Sequence, residues 1–277
     1  MIPRSDWVHY NQFMKLAERF PDNDPKLLCT EQDDLEGALE RCGADEGTEY
    51  IIVSHHGDNA QMDHNVVSER TDERDIVLTA EMIPENVRHV YCLNCGVDLE
   101  KVSPIPIGIQ PPENGPIQAE TIERLNTMDL GHLKWLYMCH TNITNPTERE
   151  PLMGMFRSEP WATCKPEYTP YSEYMSGLAE HKFMLCPDGF SYASYRTWEC
   201  LYCNTIPILK RHQCSEVLSA HLPILLVDDW SEVTLERMQA VASLNDTNDD
   251  CGCATGTFFS AYMAWWKAFI LRGDPIR

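Results

Sequence analysis

The chain has 277 residues, 43% of them hydrophobic and 23% charged, a balance that suits folded domains with buried cores rather than a disordered chain. Its 43 acidic residues against 22 basic ones give a formal net charge of -21. That charge opposes non-specific attraction to nucleic acid or anionic lipid, so an anionic ligand needs a locally positive pocket. The sequence contains no apolar run of about 20 residues, and its opening MIPRSDWVHYNQFMKLAERF lacks the apolar stretch of a signal peptide. The expectation is a soluble, cytoplasmic protein, with no membrane insertion and no nucleic-acid partner.

In chain order, DDLEGALERCG spaces Leu35, Ala38, Leu39 and Cys42 as a helix, with Gly43 as its stop. EYIIVSHHGDN reads as a buried strand, Tyr50 to Ser54, that runs into a His-His-Gly-Asp turn; DIVLTAEM and VRHVYCLN are further strands. KVSPIPIGIQPPENGP then places five prolines and two glycines in sixteen residues, too many for regular structure. The helical IQAETIERLNTM follows. Residues 103 to 133 are therefore the expected boundary between an amino-terminal unit, 1–125, and a carboxyl-terminal unit, 134–257.

The second half restarts with KWLYMCHTNITNPTEREPLMGMF: strand Trp135 to Cys139, a polar loop His140 to Pro146, and a helix from near Thr147. YMSGLAEHKFMLCP predicts a helix and then strand Lys182 to Cys186; TIPIL and LPILLVDDW predict two more strands, and DDWSEVTLERMQAV places Ser231 as a helix N-cap. FFSAYMAWWKAFIL, within 258–277, predicts a terminal helix packed across the body. Trp265, Trp266 and Phe269 read better as its packing face than as a sugar platform. Alternation of strands and helices in both halves argues for the α/β class with a parallel sheet in each.

Twelve cysteines are scattered over a chain large enough to have a core, which favours reduced thiols over a disulfide framework. The CxxC pairs Cys92/Cys95 and Cys200/Cys203 lie too far apart in sequence for a paired zinc knuckle, and CGC at Cys251 to Cys253 reads as a surface loop. No metal site is expected.

CPDGFSYASYRTWECLYCNTIPIL, Cys186 to Leu209, concentrates the hydrogen-bonding groups. A strand leads into the loop Pro187 to Ser194, a helix from about Tyr195 to Tyr202, and strand Ile206 to Leu209. In doubly wound sheets, ligands collect beyond the carboxyl ends of the strands, where helix N-termini favour anions. Ser191, Tyr192, Ser194, Tyr195 and Thr197 offer hydroxyls to phosphate or sugar, Arg196 a bidentate fork to phosphate, and Glu199 an acceptor for a ribose diol. The plainer alternative is that Ser194 only caps a helix and Arg196 pairs with a surface acid.

HKFMLCPDGFSYASYRTWECLYCNTIPIL with LPILLVDDWSEVT after it resembles the carboxyl-terminal signature of the exostosin-like glycosyltransferases, family 47 and its relatives. That signature comprises a K-F-x-L-x-P-x-G strand and loop, an R-T-W-E helix start, an x-I-P-I strand and a V-D-D-W run. It covers Lys182 to Thr234, and KWLYMCHTNITNPTERE resembles the group's first strand and loop of that half; the first 125 residues carry no matching motif. The resemblance implies a GT-B fold, two facing Rossmann-like lobes, in a small soluble member of virus or microbe type. It further implies a metal-independent, inverting transfer from a UDP-sugar to a glycan hydroxyl. Glu199 would bind the ribose, Arg196 and Ser191 to Ser194 would face the diphosphate, and Thr141 or Asn142 would line its other side. Arg149 and Lys210 are further candidates for leaving-group charge. The absence of an extra basic cluster near the motif favours a neutral sugar such as xylose.

Inversion requires a base from the amino half. SHHGDN offers Asp58 first, with His55 or His56 as the alternative, while a turn in which Gly57 and Asp58 only set geometry remains open. Glu81, after another strand, is a second carboxylate. Asp228 and Asp229 in VDDW follow an apolar strand and are not read as a metal pair. Two other functions stay open: a non-catalytic nucleotide-sugar-binding protein, and a metal-dependent hydrolase built on His55, His56 and Asp58.

Overall fold

The apolar runs found by periodicity become the strands of two parallel sheets in a computed structural model. The structure describes residues 8, 10–55, 65–69, 75–109, 116–126, 133–165, 168–246 and 263–276. In the amino half, short helices α1 (Tyr10–Met14) and α2 (Leu16–Arg19) precede β1 (Lys26–Glu31), α3 (Leu35–Ala44) and β2 (Tyr50–His55). Then come the paired two-residue strands β3 (Val66–Val67) and β4 (Ile76–Val77), followed by β5 (Val87–Cys92) and β6 (Val102–Pro104). Strands β1, β2, β5 and β6 form one sheet in that order, all parallel. β2 is buried along its whole length, the signature of a strand covered on both faces.

In the carboxyl half, α4 (Pro116–Asn126) leads to β7 (Lys134–Met138), α5 (Pro146–Phe156), β8 (Ala162–Cys164), α6 (Tyr171–Ala179) and β9 (His181–Leu185). These are followed by α7 (Tyr195–Tyr202), β10 (Ile206–Lys210), α8 (Gln213–Ser219), β11 (Leu225–Val227), α9 (Leu235–Asp246) and α10 (Met263–Ile270). The second sheet has the order β11-β10-β9-β7-β8, again parallel throughout. The chain is thus mixed α/β with parallel sheets, and in the second sheet its progress reverses between β7 and β9.

Several local expectations need correction. Gly43 does not stop α3, which runs to Ala44. Ser231 does not cap the helix after β11. Residues Trp230–Glu232 form a 3-10 turn capped by Asp229, whose carboxylate accepts from the Ser231 amide while Glu232 reaches back; α9 begins only at Leu235. The proline-rich segment nevertheless contributes β6, because Pro104 sits last in an edge strand where no ladder N–H is needed. β1, β8 and α8 had no clear signal, their apolar runs being short and broken by polar residues.

The two ends of the chain cross between the halves. The Val8 amide donates to the Tyr202 hydroxyl at 2.8 Å. Beyond α10, Tyr91 donates to the Asp274 carbonyl at 2.5 Å, and the Ile276 amide donates to Ser103 Oγ at 2.9 Å. Trp266 and Ile270 are fully buried, in one cluster with Ile107 of the amino half and Trp198 of the carboxyl half. The described cysteines are free thiols. No helix among the described residues is long and apolar enough to cross a membrane.

Candidate functional site

The reversal between β7 and β9 pulls the loops at their carboxyl ends apart, and an open α/β sheet offers its crevice there. The loop after β7, Cys139 to Asn145, and the loop after β9, Cys186 to Ser194, wall a cavity of about 460 Å³, within the range of small-molecule sites. α7 starts at its edge, with Ser194 as N-cap accepting from the Arg196 amide at 3.3 Å. Ser194 therefore does cap the helix, and it also lines the cavity.

Arg149 holds the two loops together. It is 3% exposed; its Nε donates to the Asp188 carbonyl at 2.8 Å, Nη1 to the Thr141 carbonyl at 2.9 Å and to Thr144 Oγ1 at 2.5 Å, and Nη2 to the Pro187 carbonyl at 3.0 Å. Burial, and then the charge of nearby Arg196, lowers its pKa to about 10, so it stays cationic at neutral pH. Its fork is engaged with backbone, which makes it a clasp that lends charge more than a free donor.

Arg196 is different. It lines the cavity from the first turn of α7, and its guanidinium has no hydrogen-bond or ion-pair partner among the described residues; its Nε is buried and unpaired. Burial acts against its charge, but Tyr174, Cys186 and Glu199 outweigh that and hold its pKa up. A buried donor without an acceptor is costly unless a ligand supplies one. The expectation that Arg196 pairs with a surface acid is not met.

Glu199, 6% exposed, accepts three hydrogen bonds inside the protein: from Gln118 Nε2 at 2.6 Å and the Tyr171 hydroxyl at 3.1 Å on Oε1, and from the Tyr174 hydroxyl at 2.7 Å on Oε2. An ionised carboxylate has about four lone-pair sites, so one remains on Oε2 for a ligand hydroxyl. The Asp188 side chain is half-buried, 3.8 Å from His212 Nε2, and desolvation, then Glu148, raises its pKa to about 8; it is largely neutral near pH 7. Among the lining residues the two cations Arg149 and Arg196 face one carboxylate, Glu199, which makes a positive pocket in an acidic chain. The helix start adds to it.

The amino half fixes the second loop from the other side. Asn65 Oδ1 accepts from the Tyr192 amide at 3.1 Å, and Asn94 Oδ1 accepts from the Ala193 amide at 2.8 Å. Asn94 takes a left-handed φ of 53° at the end of β5, a conformation asparagine tolerates. Those two amides are therefore not free to meet an anion. Tyr192 stacks on His212 at 4.5 Å between centroids, away from the cavity lining.

Of the residues singled out by sequence, Thr141, Arg149, Ser191, Ser194, Arg196 and Glu199 line one cavity, whereas Tyr192, Asn142 and Lys210 do not. Lys210 instead lies 3.8 Å from Glu148 and over the Trp230 ring. His55 is buried against the Phe13 ring, with Nε2 3.2 Å from the Pro106 carbonyl, and does not line the cavity. His56 and Asp58 lie outside the described residues, as do Cys251 and Cys253 and the Trp265 side chain. Glu81 is exposed in a 3-10 turn. Asp228 pairs with Arg211 at 2.8 Å and Asp229 caps its turn. Sequence reading missed His140, Tyr171, Tyr174, Gln118, Asn65 and Asn94. Only His140 had a signal, as the first polar residue after a strand.

No family model and no curated protein matches the chain.

Proposed function

We propose that the chain is an inverting glycosyltransferase of GT-B organisation that holds a UDP-sugar in the crevice beyond β7 and β9 and passes the sugar to a glycan hydroxyl. The observation that carries this reading is Arg196, whose guanidinium has no partner among the described residues, at a helix N-terminus in a chain of formal charge -21. Such a donor suits the charge that develops on a departing diphosphate, and a preorganised cation stabilises that charge without reorganising at the moment of reaction. Arg149 adds charge behind it, and Glu199 keeps a lone pair for the ribose diol. Phe190, 43% exposed at the cavity, offers an apolar face to a sugar ring. The base that removes the acceptor proton is assigned to Asp58, with His56 beside it in sequence.

A second reading, nucleotide-sugar binding without transfer, has one observation in its favour: Ile107 is the one described amino-half residue that lines the cavity. UDP release from a panel of UDP-xylose, UDP-glucose, UDP-galactose, UDP-arabinose and UDP-glucuronic acid, with EDTA present, separates the readings. Turnover is the expected result; binding without UDP release favours the second reading, and release abolished by EDTA favours the hydrolase. Glu199→Ala should weaken UDP binding, and Asp58→Ala should leave binding intact and remove transfer. Full transfer in the Asp58 variant would overturn that base assignment.

A further inference from the structure

One lining residue has no role in the transfer just described. His140 opens the loop after β7, lines the cavity and is 4% exposed. Its Nε2 lies 3.3 Å from the Arg149 carbonyl oxygen. A carbonyl only accepts, so Nε2 carries the hydrogen in the neutral ring and Nδ1 is a bare lone pair. That Nδ1 is buried without a hydrogen-bond partner, as is Arg196 Nε. Phosphate oxygens also accept, and an oxyanion set against a bare nitrogen lone pair is repelled. One added proton turns that repulsion into an attraction between opposite charges.

We propose that His140 takes up a proton when a diphosphate enters the cavity and becomes a third cation close to it, beside Arg196 and Arg149. This rests on the reading of the cavity as a nucleotide-sugar site. The charged groups that act on the ring are Arg149 on α5 and Arg196 on α7; Glu148 and Asp188 act in turn on Arg149, and Tyr174 and Glu199 on Arg196. In the empty site, burial, then Arg196 and Arg149, lowers the His140 pKa to about 4. The ring is therefore neutral near pH 7. An opposite charge within about 4–6 Å raises a pKa by roughly 1–3 units, and a diphosphate brings two such charges. Binding should thus favour the protonated ring, and affinity should rise as pH falls through the pKa of the bound state. Neutralising the diphosphate only when it arrives avoids stacking three cations in an empty cavity.

The test is calorimetry of UDP-glucose, whose diphosphate does not titrate near neutral pH, in buffers of different ionisation enthalpy. At about pH 5.5 the wild type should take up close to one proton per ligand, and binding should be about ten-fold tighter than at about pH 7.5. His140→Gln keeps an amide donor for the Arg149 carbonyl and should show neither effect. No proton uptake by the wild type, or equal uptake by the variant, overturns the proposal. If the variant does not fold, nitrogen-15 spectra of the wild-type histidine rings decide: a bare ring nitrogen at His140 in the complex at about pH 5.5 overturns it equally. Binding without proton uptake removes the role of His140 alone. Failure of both UDP-glucose and inorganic pyrophosphate to bind at either pH removes the reading of the cavity with it.

Discussion

Replacing Arg196 by methionine should weaken binding while leaving stability nearly unchanged. The free protein holds two guanidiniums close enough to perturb one another, and that of Arg196 has neither hydrogen bond nor ion pair among the described residues. Exchanging this desolvated charge for an apolar side chain of similar length removes its burial cost together with its attraction to Glu199, so the fold should change in stability by less than about 1 kcal/mol. Binding should suffer, because a diphosphate loses two charge-assisted hydrogen bonds of about 1.5–3 kcal/mol each. At about 1.4 kcal/mol per ten-fold, UDP affinity should fall at least 100-fold. Thermal unfolding and UDP titration of both proteins measure the two effects. A variant destabilised by more than about 1 kcal/mol that keeps wild-type UDP affinity would refute the reasoning and make Arg196 a structural residue.

Glu199→Gln should cost about 2–3 kcal/mol in chemical denaturation, because its amide group would face one of the three donors that now point at the carboxylate, Gln118, Tyr171 and Tyr174. Asp188 has a folded-state pKa of about 8 against an ordinary 3.8, so unfolding releases its proton between those values. Wild-type stability should therefore fall relative to Asp188→Asn as pH rises from 5 to 8, by at most about 1.4 kcal/mol per unit, in urea titrations across that window. His212 runs the other way: burial lowers its pKa to about 4, the unfolded chain binds the proton first, and its part of the stability is lost as pH falls from 6.5 towards 4. Gly177→Ala places a Cβ 2.6 Å from the Tyr137 ring. The rigid ring is buried, so a loss of about 1–3 kcal/mol is expected from the unfolding midpoint.

The sequence was informative wherever one local pattern decided the outcome. Helix α7 runs from Tyr195 to Tyr202 as its spacing predicts, and Ser194 caps it. The strands around it are displaced by a single residue, His181–Leu185 and Ile206–Lys210. The crowding of Ser191, Ser194, Arg196 and Glu199 at one strand end was visible because a strand, a turn and a helix start are each set by neighbours in the chain. Glu199 was recognised as an acceptor, but its three donors come from α4 and α6. No spacing could have named them.

What the sequence determined by itself is the α/β class, the position of the polar loop between β9 and α7, and the acidic background against which any anion site must work. Apolar periodicity and composition suffice for these, since burial depends on local pattern. What only the tertiary structure decided is which polar groups are engaged and which stand unpaired. Strand order places the loop after β7 against the loop after β9, so that Arg149 clasps one to the other while Asn65 and Asn94 hold the second from the amino half. That arrangement leaves Arg196 Nε and His140 Nδ1 without partners among the described residues. Hydrogen bonds reach about 3 Å, and only the folded chain brings residues from such distant positions within that range.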